Sequence, residues 1–77
     1  MAADIPETLI ELERTAEKER ARLAGLDGEA YEEQRRAWRA AAERVQAAVT
    51  KYAGREDVEQ SRYEVEMAVK KAVRYAD

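Results

Sequence analysis

All three glycines of this 77-residue chain stand at two places, Gly25-Leu26-Asp27-Gly28 and Gly54. The rest is written mostly in Ala, Glu, Arg, Lys and Leu, all strong helix formers. There is no Asn, one Pro (Pro6) and one Ser (Ser61). A chain so poor in turn residues has few points at which to reverse direction, and those glycines mark them. Period-two alternation is confined to YEVEMAV at 63–69, whose first two residues complete Ser61-Arg62-Tyr63-Glu64, an S-x-x-E capping signal. That segment therefore reads as the opening turns of a helix. The expected fold is all-α: an antiparallel helical hairpin over about 4–25 and 28–53, with a third helix packed on it. The third helix runs to about 76, starting near 58 or at Ser61, and residues 1–77 form a single small helical domain.

The helix ends have candidate caps. Asp4 precedes Pro6 and Glu7, a suitable first turn, and Asp27 stands ready to cap the second helix. Gly54 suits the position just past a helix end. Between these points run two heptad stripes. The first is Ile5, Leu9, Leu12, Ala16, Glu19, Leu23 and Leu26; the second is Tyr31, Gln34, Trp38, Ala41, Val45, Ala48 and Tyr52. Antiparallel pairing gives facing positions whose numbers sum to about 53–54. Leu23 then meets Tyr31, Glu19 meets Gln34 or Arg35, Ala16 meets Trp38, Leu12 meets Ala41 and Leu9 meets Val45. In this register Trp38 is the core anchor, seated against the small Ala16. Glu19 and Gln34 form one polar layer that fixes register. A third stripe, Val65, Ala68, Val69, Ala72, Val73 and Ala76, fits the groove of the hairpin. Starting at Ser61, it sets Val65 against Val49 and Val69 against Val45; starting nearer Arg55, it sets Val58 against Tyr52 and Val65 against Val45.

The inventory of side chains narrows function. Without Cys or His, the chain lacks thiolate and imidazole nucleophiles, bases and metal ligands. Its carboxylates recur at i,i+3 and i,i+4 from cations, the pattern of a solvated helix face. The expectation is no enzyme, with no catalytic, cofactor-binding or metal-binding residue and no cofactor. The N-terminal MAADIPETLIELERT has neither the basic nor the apolar region of a secretory leader, and no apolar run approaches a membrane span. No membrane association and a cytoplasmic location are expected.

Arg35-Arg36-Ala37-Trp38-Arg39, together with Arg62, Lys70, Lys71 and Arg74, raises the alternative of a nucleic-acid-associated regulatory protein. Against it, Glu29, Glu32, Glu33 and Glu43 surround the first cluster, and the net charge is −3. Nucleic acid is therefore the disfavoured partner. The seams leave Ile10, Tyr63, Met67 and Tyr75 without a place. A chain whose seams hold so much Ala buries little per helix, and Met and Tyr suit interfaces. The leading expectation is a non-catalytic protein-interaction module that self-associates or binds another protein, with those four residues as its interaction surface.

The Cys-free hairpin with a glycine-containing turn, and the run Tyr52-Ala53-Gly54-Arg55-Glu56, resemble the WXG family of small secreted helical hairpins and its Tyr-x-x-x-acid export signal. The turn here reads Gly25-Leu26-Asp27-Gly28 where that family has Trp-x-Gly, and a third helix follows. The resemblance covers the hairpin alone, and no membership is assigned.

Overall fold

The computed structural model describes residues 5–75. Three helices follow in order, α1 (Glu7–Ala21), α2 (Gly28–Ala53) and α3 (Arg62–Arg74), with no strand among the described residues. α1 packs most closely on α2, and α3 contacts both. The expected hairpin with a third helix laid upon it is the fold found.

The ends differ from expectation in detail. The candidate cap Asp4 lies outside the described residues. Pro6 takes the N-cap position of α1, and its carbonyl accepts from the amides of Leu9 (3.1 Å) and Ile10 (3.4 Å). α1 stops at Ala21, short of Gly25, because its last amides tighten to i−3 bonds: Leu23 to Arg20 and Ala24 to Ala21. Gly25 (φ +82°) and Gly28 (φ +62°) both take the left-handed conformation that a Cβ disfavours. This is why two glycines bracket the turn. Leu26, expected in the seam, is carried out to the surface between them. Asp27 occupies the N-cap position of α2, but its side chain makes no capping bond. Gly54 closes α2 in the ordinary right-handed region (φ −85°), so its freedom as a glycine is unused.

α3 settles the choice of register. The Glu64 amide donates to Ser61 Oγ (3.1 Å) and the Ser61 amide to Glu64 Oε1 (2.8 Å), a complete capping box. Val58 therefore lies in the connecting segment, half-buried against the core. Arg62 Nε donates to Thr50 Oγ1 (2.9 Å) and its other nitrogens reach Gln46 and Glu66. Gln46 Nε2 donates to Glu66 Oε2 (3.2 Å). These bonds pin the first turns of α3 to α2, so that the two helices run antiparallel.

The core is small: Leu9 and Ala16 from α1, Ala41, Val45 and Val49 from α2, Val65 and Val69 from α3. Ile5, Leu12, Ala48, Tyr52, Ala53 and Val58 pack partly buried around it. Trp38, expected as the anchor, is not in this cluster. It is half-buried and lines an open groove with Arg39, Ala42, Glu43 and Gln46. Length explains its position. At 1.5 Å per residue α2 runs about 39 Å and α3 about 20 Å. With Arg62 at Thr50 and Glu66 at Gln46, the last turn of α3 only just reaches the level of Trp38. Trp38 sits at the rim of the three-helix section, where the third wall ends.

Candidate interaction surface

α3 is placed by two valines that are almost wholly buried, Val65 and Val69. At 3.6 residues per turn, Met67 falls opposite the midpoint of these valines, with Tyr63 about 40° to one side and Arg74, two turns on, between them. Tyr63 is accordingly 69% exposed and Met67 48% exposed. The helical period sets both on the side of α3 away from its stripe, and in the fold that side is the outer face. Tyr75, at 70% exposure, closes a shallow groove that also runs over Met67, Ala68, Lys71 and Arg74. Ile10 is different. It is half-buried on α1 and does not belong to the set of exposed large apolar residues.

The charges around this face divide into occupied and open ones. Lys70 Nζ lies 3.5 Å from Glu13 Oε2, on α1 of the same chain. Glu13 is 4% exposed and is the one buried charged residue among the described residues. The sequence reading misses it, because Glu13 falls outside the α1–α2 heptad stripe and is covered only when α3 is laid on the hairpin. Its one weak signal is the i+4 spacing from Leu9, which turns it toward the groove that α3 fills. Glu13 and Glu17 line a cleft inside the chain with Arg20, Lys70, Val73 and Arg74. Arg62 is held by Thr50, Gln46 and Glu66. Lys71 and Arg74 remain exposed at the C-terminal end of α3, and Glu64 is exposed at its start. Only one oxygen of Glu64 is used by the capping box.

The polar layer of the hairpin is present, with a role beyond register. Gln34 Nε2 donates to Glu19 Oε1 (2.7 Å) and to the Glu19 carbonyl (2.7 Å). In a continuing helix the Leu23 amide would serve that carbonyl, but here it turns to Arg20. Gln34 thus closes the C-terminal end of α1 from the neighbouring helix. Arg35, the other candidate for Glu19, pairs with Glu32 (3.8 Å), and Arg22 takes the outer edge of Glu19 (3.6 Å).

Among the described residues no three acidic, His or Cys side chains gather in a way that would hold a metal ion. No helix among them is long and apolar enough to cross a membrane. Set against family models, curated proteins and solved structures, the chain matches none.

Proposed function

We propose that the protein is a non-catalytic helical interaction module that self-associates through the outer face of α3. One observation carries the reading. Tyr63, Met67 and Tyr75 are three of the large apolar residues exposed on this fold, and all three stand on or at the end of one helix. The α3 stripe facing the hairpin is already committed to the core, and these residues stay exposed among the described residues. Tyr offers a broad, stiff contact surface and Met adapts to the shape it meets. Ile10, half-buried on α1, is the weakest member of the expected set, and Tyr63 with Met67 is the strongest.

The test is the mass of the parent and of a Tyr63→Ala/Met67→Ala variant by sedimentation, at protein concentrations from about 10 μM to 1 mM, the range of weak interfaces. The expected result is assembly by the parent and its loss in the variant, with helicity and melting retained at low concentration. A parent that stays monomeric throughout overturns self-association. Binding of an oligonucleotide that falls steeply with salt would replace the reading with the nucleic-acid one. A cytoplasmic setting belongs to the same proposal, and fractionation of cells expressing the protein checks it.

A further inference from the structure

The outer face of α3 carries a pattern along its length as well as across it. Its first turn presents Tyr63 and Glu64; its middle, Met67; its last turns, Lys71 and Arg74. Arg62, Glu66 and Lys70, the other charges of the helix, are engaged: Arg62 with Thr50, Gln46 and Glu66, Glu66 with Gln46, and Lys70 with Glu13. The open charges are therefore negative near the N-terminal end and positive near the C-terminal end. This arrangement favours the helix dipole within one chain. It also makes the face complementary to itself when turned end for end.

From this complementarity we infer that two copies pair through antiparallel α3 helices, with a two-fold axis passing beside Met67. This geometry rests on the self-association proposed above and specifies it. About the axis Met67 meets Met67 of the second copy. Counting outward, Glu64 comes within one residue of level with Lys71 of the second copy, while Arg74 of the second copy lies three residues, about 4.5 Å, beyond the level of Tyr63, a gap its long side chain spans. In antiparallel helices related by such an axis, residues on one flank of a helix meet the same flank of the other. Glu64 and Lys71 do share a flank, and Tyr63 and Arg74 share the line between the flanks. The two pairings are an ion pair and a guanidinium over an aromatic ring, each made twice. Parallel pairing has the opposite consequence: Lys71 would meet Lys71 and Arg74 would meet Arg74. Opposed helix dipoles add to the preference for the antiparallel form. A contact about 20 Å long, the length of α3, is at the small end for stable interfaces, so the dimer is a weak one.

The chain contains no Cys, so single cysteines report geometry cleanly. A disulfide forms only where the Cα atoms come within about 7 Å. Under mild oxidation Met67→Cys should give a covalent dimer. Tyr63→Cys should not react with itself, because the two positions lie about eight residues, or 12 Å, apart along the pair. A mixture of Tyr63→Cys and Arg74→Cys, offset by about 4.5 Å along the pair, should cross-link to the mixed dimer faster than Tyr63→Cys does with itself. Ala40→Cys, exposed on α2, gives the collisional background. Lys71→Glu should weaken the parent's dimer at least several-fold in sedimentation. If all three α3 cysteines react with themselves, the helices run parallel and the inference is wrong. A parent that dimerises while Met67→Cys reacts no faster than Ala40→Cys places the interface elsewhere, which overturns this geometry and leaves self-association standing. A parent monomeric up to about 1 mM sinks both.

Discussion

Glu13 and Lys70 show how differently the two ends of one ion pair weigh on the fold. The carboxylate is almost fully removed from water, while the lysine side chain keeps 42% of its exposure. Taking the lysine away strands a buried charge; taking the carboxylate away leaves a cation free to rejoin solvent. Lys70→Met is therefore expected to destabilise by about 1–3 kcal/mol, less than a fully buried pair because water already reaches the lysine. Glu13→Met should be neutral or mildly stabilising. Equilibrium denaturation of both variants checks this asymmetry, and equal losses would show that the pair contributes as a bond. Trp38 is a second case where position matters more than type. A core tryptophan truncated to alanine costs about 3–5 kcal/mol. At the rim of the third helix, Trp38→Ala should cost about 1–2 kcal/mol, in proportion to the area it buries. A loss in the core range would mean that the open groove beside it is closed in solution.

At the scale of the element, the glycines make the sharpest contrast. Gly25 has open space where a Cβ would stand, so only its backbone conformation resists substitution. Gly25→Ala should destabilise by about 1–2 kcal/mol, the cost of a left-handed residue with a side chain. Gly54 adopts a conformation any residue accepts, and a Cβ there meets the Thr50 carbonyl at an ordinary 3.4 Å. Gly54→Ala should therefore be neutral or stabilising by up to about 1 kcal/mol, through the loss of freedom in the unfolded chain. Thermal melts of the two variants would settle which glycine is required for turning. Gln34 belongs at this scale too, since its amide serves the end of a helix other than its own. Gln34→Leu should cost about 1–2 kcal/mol by leaving the Glu19 carbonyl without a donor. Hydrogen exchange should show the loss at the end of α1 before anywhere else.

At the scale of the molecule, a core built from four valines, one leucine and two alanines supports only modest stability in a domain this small. Burial of Tyr63 and Met67 against a second copy would add to it, and association that needs the folded state raises stability with concentration. The melting temperature is expected to climb by several degrees between about 10 μM and 1 mM, consistent with the size of shift that about 1 kcal/mol produces in a domain of this length. A melting temperature that is flat over that range would argue that α3 presents its outer face to water alone.

The helix count, the hairpin and the polar pairing of Glu19 with Gln34 are all local matters or follow from one periodicity, whereas two starts for α3 gave equally coherent ladders and the capping box at Ser61 decided between them. Glycine placement, capping chemistry and heptad spacing act over a few residues, and an antiparallel pair adds only one register to be matched. Tyr63, Met67 and Tyr75 were legible for the same reason, as residues left over once the stripes were filled. What α3 covers was not legible. Its length against α2 put Trp38 at a rim, and its C-terminal half buried Glu13 and drew Lys70 to it. Those outcomes depend on where a third helix lies over two others. Burial there is set by three surfaces at once, and no spacing within a single helix records it.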